Sequence, residues 1–170
     1  DIMTREAFEN AIATDMAIGG STNTVLHLPA VAHDSGVELP LDLFDEISQR
    51  TPYLVKLSPS GPHHMQDLDE AGGIPAVMSQ LANKQLINTD LATVTGETVA
   101  ENIRRAQAWP IATSSDVLRT TDDPYSASGG IAILRGNLAP EGAVVKAAPV
   151  APDIMHFRCP ASVFEGHHSA

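Results

Sequence analysis

The chain has 170 residues, 43% hydrophobic but only 4% aromatic, and a formal net charge of −11, with a pI near 4.8. That length suits one ordinary domain or pieces of two, with a core built from Ala, Val, Ile, Leu and Met. The acidic balance excludes a nucleic-acid surface, since the few Lys and Arg are scattered apart from Arg104-Arg105. The single cysteine, Cys159, excludes an internal disulfide.

Thr4 is placed to cap a first helix, in which Ala7, Phe8, Ala11, Ile12 and Asp15 recur at helical spacing. Gly19-Gly20-Ser21-Thr22-Asn23 comes next, a loop that opens a second helix. The glycine pair permits a sharp turn and the close approach of another group, and Ser21, Thr22 or Asn23 can cap that second helix. Unpaired N–H groups at such a helix start suit a carboxylate or phosphate. The alternative is a purely structural turn between two buried helices, which the residues alone favour. The second helix is expected from about Thr22 to His33, with Val25, Leu28, Val31 and Ala32 on its buried stripe. Pro29 predicts a bend or early end near Leu28, and Gly36 suits the left-handed position beyond the helix.

A short helix is predicted from Leu43 to Gln49, with Leu43, Phe44 and Ile47 inward, stopped at Thr51-Pro52. Tyr53 to Leu57 alternates as a strand or extended connection, and Ser58-Pro59-Ser60-Gly61-Pro62 is a turn. Asp67, three residues before Glu70, predicts a helix cap. Pro75 suits a first helical position, ahead of an amphipathic stripe of Ile74, Val77, Met78 and Leu81. Leu91 to Val94 is expected as a short strand or extended piece. Thr98 with Glu101 is a capping box for a helix carrying Val99, Ile103 and Ala106.

Beyond Pro110 the character changes. Thr113 to Ser128 is polar and predicts a connector over the surface. After Gly129-Gly130, Ile131 to Leu134, Ala143 to Lys146 and Ala161 to Phe164 are three strand candidates, the opening of a β unit. The helical part and this β part are expected not to share one cooperative core.

Candidate chemistry is sparse. His63-His64 with Asp67 and Asp69 matches no common zinc spacing, and a solvated loop is expected. His167-His168 carries still less weight. Cys159, beside Arg158, is expected to be a packed structural thiol, and one cysteine cannot by itself hold an iron-sulfur cluster. No spacing of carboxylates marks a general acid and base. No run of about 18 apolar residues exists, so no membrane span is expected. The N-terminus lacks signal-peptide character and Met3 sits in running text, so a piece of a longer protein in a reducing, cytoplasmic compartment is expected.

Several stretches in one order carry a resemblance. They are Gly19-Gly20-Ser21-Thr22-Asn23-Thr24-Val25-Leu26-His27-Leu28, then Pro59-Ser60-Gly61, Met65-Gln66-Asp67-Leu68 and Ala71-Gly72-Gly73-Ile74-Pro75, then Thr93-Val94-Thr95-Gly96. Gly129 through Lys146 and Pro160 through Phe164 complete the series. Together they resemble the dihydroxy-acid dehydratases and their sugar-acid relatives, including phosphogluconate dehydratase. Leu134-Arg135-Gly136-Asn137-Leu138-Ala139-Pro140 is closer to the branched-chain members.

The resemblance implies loss of water from a 2,3-dihydroxy acid to give a 2-keto acid, as in branched-chain amino-acid biosynthesis. It implies an iron-sulfur cluster as Lewis acid, a magnesium ion at the carboxylate end and a serine alkoxide as base. It places the cluster cysteines and most magnesium ligands before Asp1, and the remaining glutamate and serine motifs after Ala170. No catalytic or metal-binding residue is therefore expected here, and this segment alone is expected to be inactive. Cys159 stands where the family has glycine, and Pro29 is a second departure. The implied fold is α/β: residues 1–122 as the end of an α/β/α domain, and residues 123–170 as connector and first strands of a β-rich swivelling domain, in a homodimer. Ser21, Thr22 and Asn23 are the substrate-binding candidates, near the anionic end of a small dihydroxy acid. A sugar-acid dehydratase and a non-catalytic acidic interaction module are the alternatives.

Overall fold

The structure, a computed structural model, describes residues 2–108, 116–148, 150, 156 and 158–166. Among them are six helices and a two-stranded antiparallel sheet, a mixed α/β content.

Helix α1 (Arg5–Ala17) starts where expected, the Thr4 hydroxyl accepting the Ala7 N–H at 3.3 Å. Its buried face is Phe8, Ile12, Ala13, Met16 and Ala17, while Ala11 is exposed; the predicted stripe is rotated by about one position. Asn10 on the same face is also buried. Its side-chain amide clasps the backbone of Asn88, donating to the carbonyl and accepting the N–H, both at 2.7 Å. Helix α2 (Thr24–Asp34) runs through Pro29 to its end rather than stopping near Leu28. Val25 and Ala32 are buried as expected, Leu28 is half-buried, and Val31 is exposed.

Helix α3 (Leu41–Arg50) buries Leu43, Phe44 and Ile47, and also Ser48. Residues 53–57 are the extended connection and not the strand. Tyr53 bridges Ser126, Val55 bridges Leu118 and Leu57 bridges His63, one isolated contact each, while the N–H groups of Leu54 and Val55 both donate to the last carbonyl of α1, at Ala17. With three partners no ladder propagates, yet Thr51 through Val55 are all buried. Hydrogen bonding is satisfied piecemeal, as a buried backbone requires.

Helix α4 (Met65–Glu70) begins at His64, not at Asp67; the Asp67 carboxylate reaches back to the His64 N–H at 2.6 Å. Helix α5 (Gly73–Asn83) comes after Gly72, which is left-handed. Val77 and Leu81 are buried, with Ile74 and Met78 partly so. Pro75 sits within the first turn, whose N–H groups lack helical acceptors anyway. Residues 91–93 are extended with one bridge, Ala92 to Thr98, and Val94 already belongs to the turn that follows. The predicted capping box opens α6 (Val99–Gln107), with Thr98 and Glu101 exchanging hydrogen bonds and Val99 and Ile103 inward.

The expected connector lies partly outside the described residues, at 113–115. Its described portion does run over the surface, with Asp116, Thr120, Asp122, Asp123 and residues 126–128 exposed, but it is pinned to the body. Val117 is buried, the Arg119 N–H donates to Leu54 and the Tyr125 N–H to Tyr53, and Tyr53 donates to Ser126. The strand candidates resolve into one hairpin, β1 (Ile131–Gly136) and β2 (Ala139–Lys146), in register from Ile131↔Lys146 to Gly136↔Ala139. Strand β2 therefore begins within the predicted turn and passes through Pro140 and Gly142. Residues 161–164 form no strand: they are exposed, and no partner strand lies beside them among the described residues.

The hairpin is laced to α3 by three side chains at helical spacing. The buried Ser48 hydroxyl donates to the Ile131 carbonyl, the Asp45 carboxylate accepts the Ile133 N–H at 3.1 Å, and Asp42 pairs with Arg135. Three residues back along the helix match two forward along the strand each time. Ile131 joins the same buried cluster as the helices.

Candidate functional site

The glycine loop has the predicted conformation for a reason visible in its neighbours. Gly19 and Gly20 both have positive φ, 98° and 65°, which a side chain would resist. Space is closed to one as well. A Cβ at Gly19 would lie 2.9 Å from Tyr53 Cε2, and one at Gly20 would lie 2.6 Å from Ile131 Cγ1.

The loop is closed by a carboxylate of the chain itself. Asp15, in the last turn of α1, accepts the Ser21 N–H on Oδ2 at 3.3 Å, and the Gly20 N–H donates to the Asp15 carbonyl at 2.8 Å. The Thr24 hydroxyl also hydrogen-bonds the Asp15 carboxylate, and Lys146 of β2 supplies an opposite charge. Burial nevertheless wins and pushes the Asp15 carboxyl above its ordinary value, because desolvation disfavours the charged form. Asn23 is the residue before α2 but caps nothing through its side chain. Its own backbone is already helical, at φ −64° and ψ −29°, and its N–H instead donates to the Ser21 hydroxyl at 3.3 Å.

In front of the loop is a recess of about 190 Å³, lined by Asp15, Gly20, Ser21, Tyr53, Ser60 and Lys146 among others. Of the three predicted binding residues, Ser21 lines it; Thr22 and Asn23 are exposed at the start of α2 and do not. Tyr53 is 3% exposed, and its hydroxyl is buried without a hydrogen-bond partner. Burial first, and then the neighbouring Tyr125, raise its pKa, so it stays a neutral donor. Tyr125 braces it with ring centroids 5.9 Å apart, and is itself held between Lys56 and Arg119, 4.5 Å and 4.2 Å from its centroid. Asp15 and Ile18 also form a wall of a larger, mainly apolar groove of about 560 Å³ between α1, α5 and residues 91–94.

Asp15, Tyr53 and Lys146 were not among the sequence candidates. Asp15 had a signal, a carboxylate four residues ahead of a glycine turn rich in free N–H groups. Tyr53 and Lys146 had none, because they arrive from distant segments. Cys159 is exposed rather than packed. The donors described here do not fit a cluster or metal: there is one thiol, and no group of three His, Cys, Asp or Glu side chains among the described residues is arranged to hold an ion. No helix among them is long and apolar enough to cross a membrane.

This loop, its recess and the hairpin behind it lie across two family segments. Residues 1–102 match the dihydroxy-acid/6-phosphogluconate dehydratase N-terminal family model and residues 116–170 match the C-terminal one; the chain belongs to that family. It is 55% identical over 170 residues to dihydroxy-acid dehydratases of Acetivibrio thermocellus and of Moorella thermoacetica, covering all of this chain and 30% of each relative. It is 56% identical over 169 residues to that of Nitratidesulfovibrio vulgaris, covering 99% of this chain and 30% of the relative. The chain thus spans about 30% of the length of the curated relatives it matches.

Proposed function

We propose that this chain is part of a hydro-lyase that removes water from a small 2,3-dihydroxy acid to give a 2-keto acid, in branched-chain amino-acid biosynthesis. The observation that carries the reading is the ordered match to both family segments, together with relatives at 55% identity that are named dihydroxy-acid dehydratase. On this reading residues 1–122 end an α/β/α domain and residues 123–170 begin a β-rich domain, with the glycine loop at their seam. Ser21 lies on the wall of a substrate-facing recess, and Thr22 and Asn23 shape the helix start behind it. An iron-sulfur cluster and magnesium in the parent protein would draw their ligands from outside this segment. A homodimer in a reducing, cytoplasmic compartment completes the proposal.

The test is turnover by the full-length parent, purified without oxygen and supplied with iron, sulfide and magnesium. 2-Keto acid should form from a branched 2,3-dihydroxy acid and not from a six-carbon sugar acid. The opposite preference would move the protein to the sugar-acid branch, and no turnover of either would reject the hydro-lyase reading.

A further inference from the structure

We infer that the recess between the glycine loop and residues 57–60 is a binding site for a small monocarboxylate, gripped jointly by Tyr53, Ser21 and Lys146. The first observation is the Tyr53 hydroxyl. It is buried, has no partner, and belongs to a side chain that lines the recess. An unmade hydrogen bond on a buried hydroxyl is costly, and such a group in a native fold calls for an acceptor that is absent. The second is the size of the hollow, about 190 Å³, several times the ~30 Å³ share of one water. The third is the set of donor-bearing residues that line it: Tyr53, Ser21 and Lys146.

Charge selects the ligand class. Lys146 and Asp15 face the same hollow, so its two formal charges offset. Asp15 is already committed to the Ser21 N–H and the Thr24 hydroxyl, which leaves the ammonium and the tyrosine to meet an incoming oxyanion. Beside Asp15, a carboxylate brings one unneutralised negative charge and a doubly charged phosphate brings two, so the singly charged ligand is the less opposed. Two of the gripping residues come from the first family segment and Lys146 comes from the second, so an occupied recess also ties the hairpin to the helical body.

This site deepens the proposed function and rests on it for the role of Ser21, but its test reads binding and not turnover. The full-length parent protein is melted with increasing acetate, and separately with inorganic phosphate, beside its Tyr53→Phe and Lys146→Gln variants. Acetate should raise the wild-type melting temperature, since a ligand of the native state stabilises it. Tyr53→Phe removes only an unpartnered hydroxyl, so without ligand it should melt at or above wild type. Its acetate affinity, and that of Lys146→Gln, should fall about tenfold. Equal acetate shifts in all three proteins would overturn the site, as would no shift in wild type. A larger shift with phosphate than with acetate would overturn the ligand class.

Discussion

Gly130 lies so tightly against Gly19 that a Cβ on Gly130 would come within 2.0 Å of the Gly19 carbonyl oxygen. The pairs Gly19-Gly20 and Gly129-Gly130 thus meet in one contact, made between the end of α1 and the start of β1. Gly129 is equally confined, its missing Cβ facing Met16 and Ser48. The hairpin can therefore reach the core with Ile131 only because neither pair carries side chains. Gly130→Ala should cost about 3 kcal/mol, because the obstacle is backbone and cannot rotate away. Gly136→Ala is the control, with nothing within 4 Å of its Cβ position, and should stay within about 0.5 kcal/mol of wild type. Denaturant midpoints of the two variants check this, and similar losses for both would mean that the contact is not the constraint.

Asn10 and Asn88 form a second long-range tie. The Asn10 side chain is buried and spans both backbone groups of Asn88. Asn10→Ala leaves a donor and an acceptor bare and should destabilise by about 1–3 kcal/mol. Asn10→Asp should do at least as badly, since a carboxylate would face the Asn88 carbonyl where an amide now donates. An Asp variant as stable as wild type would show that the clasp contributes little.

Asp15 makes stability depend on pH in a definite direction. Its folded-state pKa lies above the ordinary 3.8, so the native state holds the proton more tightly than the unfolded chain. That contribution is complete below about pH 3.8 and is lost as pH rises through the folded pKa. Asp15→Asn keeps an acceptor for the Ser21 N–H without the charge. The difference between wild-type and variant melting temperatures should therefore move against wild type as pH rises from about 4 to neutral. Taking the difference cancels other carboxylates, such as Glu6 and Glu101, whose pKa values are lowered. A flat difference curve would mean that Asp15 is not the titrating group.

The sequence exposed what is local. Thr4 and the Thr98–Glu101 box needed only their own helix starts, and the buried stripes of α3 and α6 needed only periodicity. What escaped depended on distant segments. Residues 53–57 alternate like a strand, but their bonding groups are divided among three partners and the end of α1. Asp67 had the composition of a cap and acts from inside the helix, because His64 takes the extended conformation before it. Ser21 was legible as a residue of the glycine loop, and it lines the recess. Tyr53 and Lys146 were not, since the recess exists only once residues 15, 21, 53 and 146 have been folded together.

The same distinction predicts where the chain is cut. Polarity alone pointed to the segment ending at Ser128 as an exposed connector, yet Arg119 within it donates its N–H to the buried Leu54 and stacks its guanidinium on Tyr125. Cleavage after Arg119 would require breaking those bonds and withdrawing Val117 and Leu118 from the core, a local opening that costs free energy. Arg158 and the residues after it as far as Gly166 are exposed. Limited trypsin treatment should therefore cut after Arg158 well before Arg119, read by mass spectrometry of early fragments. Early cleavage at Arg119 would show that the bridges to residues 53–55 do not hold this segment.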